Sequence, residues 1–288
     1  MNFIPKKNME EAARMMAPDW GSRKDEERRE VFELLDSCTR AAAKSPERLE
    51  KYIDVQARFD SMSVSNALLV SEQCPEAVQL GTYEEWKRAG TAVRAGEKAI
   101  LTLSSREYTR RDGTRGRKAE IRKVFDISQT DAPAPEAAGR KLDPASFARE
   151  VVSASPCPVL VRDGENGSMA EYDSNTGTVF LSGGAASTKE EAFATALGVM
   201  EGACMRSGYH METAKEAADI AACMLCRRFG IEFEAPQVSD LGDYYKPKEI
   251  RGVFSRARDA FRSAARVIED SLDLTVESPV KEAGRETA

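Results

Sequence analysis

Acid–base or zinc chemistry in this chain has one imidazole to draw on, because His210 is the only histidine among 288 residues. Histidine is the usual general base and the commonest zinc ligand, so every mechanism that needs two is ruled out. His210 follows Gly208 and Tyr209 in a predicted loop with no orienting partner in the sequence, which argues against a cysteine–histidine nucleophile pair. The six cysteines (Cys38, Cys74, Cys157, Cys204, Cys223 and Cys226) are scattered through a chain too large to need disulfide staples, which reads as free thiols in a reducing cytoplasm. Cys204, Cys223 and Cys226 with Asp219 offer one thiolate-rich metal set. Against it, Cys223 and Cys226 sit three residues apart in an alanine-rich predicted helix, where small thiols are more often core than ligand.

A denser group of chemistry-bearing residues is cationic. Arg106, Arg110, Arg111, Arg115, Arg117, Lys118, Arg122 and Lys123 stand against Glu107, Asp112 and Glu120, with Tyr108 among them. Lys87, Arg88, Arg94 and Lys98 lie beside Tyr83 and Trp86. Cations that follow phosphates and flat rings that stack on bases are the requirements of a single-strand binder indifferent to sequence. The competing readings are a solvated hairpin, or one that grips an acidic protein partner. Trp86, at helical spacing, also fits a core residue, and Ser65, Asn66 and Gln129 also fit structural hydrogen-bond partners.

These groups need elements to position them. Val31, Leu34, Leu35 and Cys38 recur at three and four residues, predicting a helix from Glu26 to about Ala43. Ser45 followed by Pro46 is a helix start, with Leu49, Ile53, Val55 and Phe59 as its core face, and a third helix spans about 63–73. The apolar runs 99–103 and 123–127 predict strands joined through Asp112-Gly113, a hairpin with a basic tip. Residues 133–143, rich in alanine and proline, read as a linker, with a loose arm at 1–25 and a disordered tail at 273–288. Between them the segment 144–272 predicts a helix at 144–155, short strands near 159–162, 169–172 and 178–181, and helices near 188–206, 212–228 and 247–271.

Bulk composition narrows the rest. Net charge is -6, so nucleic-acid binding must rest on local basic surface and not on a general attraction. The sequence contains no apolar run long enough to span a membrane and its first residues do not read as a secretion signal, so the expected location is the cytoplasm.

Three ordered phrases then carry a resemblance: Ser63-Val64-Ser65-Asn66-Ala67-Leu68-Leu69 with Gln73-Cys74-Pro75; Thr82 to Trp86 leading to Gly90 and to Val93 through Ile100; and Val124-Phe125-Asp126-Ile127-Ser128-Gln129-Thr130. Residues 45–132 resemble the N-terminal domain of ArdC-like antirestriction proteins of plasmids, conjugative elements and phages. Met62 stands where that family usually has tyrosine, which removes one stacking ring. The resemblance implies a single-stranded-DNA-binding domain over 26–132, with Ser65, Asn66, Tyr83, Trp86, Lys87, Arg94, Lys98, Arg106, Tyr108, Arg110, Arg111, Arg115, Arg117, Lys118 and Gln129 as its candidate contacts.

The second half resembles the family's C-terminal, ImmA/IrrE-type zinc-peptidase domain, in which one helix carries H-E-x-x-H and the next a glutamate ligand. Two histidines at i and i+4 share a helix face and so reach one zinc. Here Met200 and Cys204 replace both histidines, Glu201 remains, and Glu216 or Asp219 is the remnant of the third ligand. Thioether sulfur is a poor zinc ligand, so the resemblance implies a zincin-like outline with no metal, no cofactor and no catalytic residue. The reading is thus an α+β protein of two domains: a helical and β-hairpin domain for single-stranded DNA, then a small sheet with helices. The expected function is non-sequence-specific single-strand binding in antirestriction or DNA transfer for a mobile element. A peptidase with an atypical cysteine/carboxylate site and a protein-interaction module are the alternatives.

Overall fold

The computed structural model of the protein describes residues 20–110, 112–133, 141–162, 169–183, 186–206, 213–233, 236 and 239–272. Three helices open the chain: α1 (Trp20–Ala42), α2 (Pro46–Arg58) and α3 (Val64–Gln73). The Ser45 hydroxyl accepts from the Arg48 N–H ahead of Pro46, and the Ser63 hydroxyl accepts from the Asn66 N–H, so a serine cap starts both α2 and α3. α1 begins inside the segment expected to be a loose arm. Its first turns are charged and carry no apolar period, so the pattern that predicts helices is silent there.

The first sheet follows. Strand β1 (Leu80–Gly81) leads into α4 (Tyr83–Arg88), which starts on a Thr82/Glu85 capping box. Strands β2 (Ile100–Thr109) and β3 (Arg115–Asp126) form the hairpin, and the sheet order is β1-β3-β2, antiparallel throughout. The hairpin is twice as long as its apolar runs suggest. The ladder continues from Ile100 opposite Val124 out to Thr109 opposite Arg115, through residues that are mostly polar.

Helix α5 (Pro144–Ser153) precedes a second sheet of β4 (Val159–Arg162), β5 (Ala170–Asp173) and β6 (Thr178–Ser182), ordered β4-β6-β5 with β4 parallel to β6. Helices α6 (Lys189–Arg206), α7 (Ala214–Phe229), α8 (Ser239–Tyr244) and α9 (Pro247–Ser271) complete the described chain. Gly198 and Gly202 let α6 lie close on this sheet; a Cβ at Gly202 would meet the Cys157 sulfur at 2.8 Å, and one at Gly198 would meet Ala170 Cβ at 3.0 Å. Gly230, at φ +77°, ends α7 in the left-handed conformation, and the Ile231 N–H reaches back to the Cys226 carbonyl at 2.9 Å.

The linker separates two sheets but not two cores. One apolar cluster runs from Val31, Leu35 and Leu49 through Ile220, Met224 and Leu225 to Phe254 and Phe261. Tyr52 of α2 stacks on Phe254 of α9 with ring centroids 4.8 Å apart. Charge-assisted contacts cross the same seam: Arg251 donates to Asp36 at 2.7 Å, Arg227 to Glu50 at 2.7 Å, and Arg228 to the Ala57 carbonyl at 3.2 Å. Helices α1–α3 therefore pack with α7 and α9, although the sequence break at 133–143 divides them. Of that segment, residues 134–140 lie outside the described residues, as do residues 1–19 of the expected arm and the whole of the 273–288 tail.

Candidate nucleic-acid interface

The hairpin tip is built by Asp112 and Gly113. The Asp112 carboxylate accepts from the Thr114 N–H at 2.9 Å and the Thr114 hydroxyl at 2.7 Å; those bonds, the hydroxyl's first, hold its pKa below the usual range. Gly113 supplies the positive φ (+84°) that the turn requires, and the Arg110 N–H closes it on the Thr114 carbonyl at 2.7 Å. With Asp112 occupied in this way, the cations on either side of the turn face water.

Those cations divide into two groups. Arg106 pairs with Glu120 at 3.2 Å and Arg117 with Glu107 at 3.0 Å, both across the exposed ladder. At the hairpin base Arg122 pairs with Glu85 of α4 at 2.6 Å, and Lys123 with Glu27 of α1 at 2.7 Å. Arg110, Arg115 and Lys118 are exposed and have no ion pair among the described residues. The positive surplus therefore gathers at the outer half of the hairpin. Exposed pairs of the Arg106–Glu120 kind contribute only about 0–1 kcal/mol, so a phosphate can replace the carboxylate at small cost. Lys87 and Lys98 are also exposed, on α4 and on the approach to β2. Arg111 lies outside the described residues.

The rings divide as well. Trp86 is 6% exposed and its indole N–H donates to the Phe125 carbonyl at 2.9 Å, which makes it a pin between α4 and β3 and not a stacking surface. Tyr83 and Tyr108 are 53% and 43% exposed. Tyr108 stands directly opposite Gly116 in the ladder.

The amides that the family phrases single out have structural partners. Asn66 donates to the Leu103 carbonyl at 2.9 Å and accepts from the Leu103 N–H at 2.8 Å. Gln73 makes the same two bonds to Leu101, both at 2.9 Å. Two side chains of α3 thus occupy the open edge of β2, in the manner of a further strand. Gln129 accepts from the Asp126 N–H at 2.9 Å and donates to the Lys98 carbonyl at 2.9 Å. Asp126, almost fully buried, accepts from the Val78 and Gln79 N–H groups at 2.8 and 2.9 Å. Arg94 donates to the Thr130 carbonyl at 2.6 Å and also to the Ser128 carbonyl. Asn66, Trp86, Arg94 and Gln129 are thereby committed to holding the first sheet, and Ser65 is half-buried on α3 away from the tip. No single-sequence signal separates these clasps from contacts, because the same polar side chains serve both uses.

The second constellation lies between α6 and α7. Met200 is fully buried and Cys204 is 1% exposed; burial first, and Glu201 to a lesser degree, push the Cys204 thiol up to about 12 against the opposing effect of Arg256. Burial also raises the Glu201 carboxyl, with Asp219 adding to the rise and Lys215 opposing it. Asp219 is raised by burial, opposed by Lys215 and reinforced by Glu216. Glu216 Oε2 is buried with no hydrogen-bond partner among the described residues. Cys223 and Cys226 are fully buried thiols whose pKa values burial raises further still. Among the described residues, no three His, Cys, Asp or Glu side chains are grouped to hold a metal ion. His210 lies outside the described residues.

No family model matches the chain, and no curated protein matches it. Solved structures do. The metal-free crystal structure of the antirestriction ArdC protein from the R388 plasmid matches with a TM-score of 0.53 at 18% identity, over 73% of this chain and 85% of that one. Its Mn(II)-bound structure matches with a TM-score of 0.53 at 19% identity, over 72% and 83%. At that identity the likeness shows a shared α+β fold. The bound Mn(II) in the second structure poses the question of whether the residues present here suit a metal. They do not: among the described residues no three His, Cys, Asp or Glu side chains are grouped to hold an ion, and the thioether of Met200 is a poor donor for a divalent metal. Among the described residues no helix is long and apolar enough to cross a membrane.

Proposed function

We propose that this chain binds single-stranded DNA without sequence preference and serves antirestriction or DNA transfer for a mobile element. In this reading the α6–α7 half is a scaffold and not a peptidase. The observation that carries it is the outer half of the β2–β3 hairpin, where Arg110, Arg115 and Lys118 stand exposed without carboxylate partners beside an exposed Tyr108. A flexible polyanion with accessible bases satisfies both features at once. The shared fold with an antirestriction protein supports the biological role, and the donor set between α6 and α7 supports the absence of metal catalysis.

The test is binding of a labelled oligo-dT to the full chain, read by fluorescence anisotropy as a function of salt. Affinity should fall steeply with ionic strength. Reversing Arg110, Arg115 and Lys118 to glutamate should remove three phosphate contacts and lower the slope of log K against log salt by about 2. Binding that ignores salt, or equal affinity for duplex, overturns the reading. For the second half, zinc analysis of protein purified without chelators should give no stoichiometric metal; zinc that is present and lost in Cys204→Ser restores the peptidase alternative.

A further inference from the structure

We infer that Tyr108 is a single-base stacking platform and that Gly116 is the residue that positions its ring. The inference rests on the single-strand binding proposed above and adds which face of the hairpin takes the strand. Tyr108 and Gly116 are directly opposed in an antiparallel ladder, so whatever side chain Gly116 carried would share a face with the tyrosine. It carries none, and the ring fills the gap: a Cβ built at Gly116 would lie 2.7 Å from Tyr108 Cζ, 2.9 Å from Cε1 and 2.9 Å from Oη. A ring laid over a cross-strand glycine covers bare backbone on one side and is held there by packing. Its other side is exposed, in keeping with the 43% of the residue that meets solvent.

The neighbours on that face identify the occupant. Arg106 lies two residues before Tyr108 on β2, and Lys118 is its direct cross-strand partner, so both project on the tyrosine's side one ladder step nearer the core. The step is about 7 Å, within reach of these long side chains for a phosphate adjoining the stacked base. Glu107 and Arg117, paired with each other, occupy the opposite face. That face also carries Glu120, paired with Arg106 in an exposed contact that a phosphate can replace, so it offers a ring beside an unpaired Lys118 and an exchangeable Arg106, which suits an unstacked nucleobase and its neighbouring phosphates. A base inside a duplex has no free π-face to present, so the platform predicts a preference for single strands.

The experiment compares oligo-dT with a backbone-matched abasic oligonucleotide against the full chain and three variants. Wild type should bind dT about five- to hundredfold more tightly than the abasic strand, the range of a stacked base. Tyr108→Ala should reduce that ratio to near one, while Tyr108→Phe keeps it because stacking does not need the hydroxyl. Gly116→Ala should also collapse the ratio although the ring is still present, since the new methyl displaces the ring from its seat. The displaced group is the end of a flexible side chain, so the melting temperature of Gly116→Ala should match wild type. If Tyr108→Ala or Gly116→Ala keeps the wild-type ratio while the triple charge reversal still weakens binding, the platform is wrong and the cationic reading stands. If wild type binds neither strand, both fall.

Discussion

The β2–β3 hairpin and the α6–α7 helix pair both concentrate ionisable groups, and they treat them in opposite ways. On the hairpin Arg110, Arg115 and Lys118 lie exposed to water, and the pairs beside them are exposed enough to exchange. Between the helices Cys204 is buried and Glu201 and Asp219 are half-buried, and burial raises the pKa of all three. The difference teaches that an ionisable residue offers recognition only where folding leaves it exposed.

That contrast can be broken most forcefully at the shared core. Phe254→Ala removes the ring that stacks on Tyr52 and should destabilise the fold by about 3–5 kcal/mol. Circular dichroism should record one lowered transition for both halves, while oligo-dT affinity measured well below that transition stays at the wild-type value. Two separate transitions would show that the halves fold independently and that the seam contributes little.

A smaller effect is expected where the core meets the hairpin. Asn66→Ala or Gln73→Ala uncovers a backbone N–H and carbonyl on the edge of β2, at Leu103 or Leu101 respectively, and should cost about 1–3 kcal/mol. Hydrogen exchange at the Leu103 amide should accelerate in the first variant and at Leu101 in the second. Unchanged exchange would mean that these amides are available for DNA after all, which would move the interface from the hairpin tip toward α3.

The smallest effect sharpens the buried side. Glu201 and Asp219 have raised pKa values in the fold, so the folded state holds their protons more tightly than the unfolded chain does. Their contribution is most favourable at low pH, and it is lost as pH rises above about 4 through the raised values. The double variant Glu201→Gln, Asp219→Asn should therefore show a flatter dependence of stability on pH, and at neutral pH a melting temperature higher by about 2 °C. Superimposable pH profiles would show that water reaches the two carboxyls freely.

Much of the architecture was legible without coordinates. The serine caps at Ser45 and Ser63, the 3.6-residue apolar periods and the Asp112-Gly113 turn are local signals, and α2, α3, α6, α7, α9 and the turn follow them to within a few residues. β1, α4 and α8 escaped because each is too short to show a period, and the outer half of the hairpin because a ladder of backbone bonds does not need apolar side chains. The candidate site was legible only as a list of residue types. Trp86, Asn66, Arg94 and Gln129 look the same in sequence whether they hold a sheet together or touch a ligand, and in the structure all four bond to backbone groups of the first sheet and its flanking loops.

By itself the sequence determined what chemistry was possible: one histidine, no H-E-x-x-H, and a surplus of arginine and lysine around a tight turn in an acidic chain. Tertiary structure alone decided which of those side chains are paired, by bringing Glu85 to Arg122 and Glu27 to Lys123 while leaving Arg110, Arg115 and Lys118 without ion-pair partners among the described residues. It also decided that the linker joins one core and that Tyr108 lies over Gly116. The physical reason is range: helix periods and turns act over a few residues, whereas charge pairing and burial depend on which distant segments folding brings into contact.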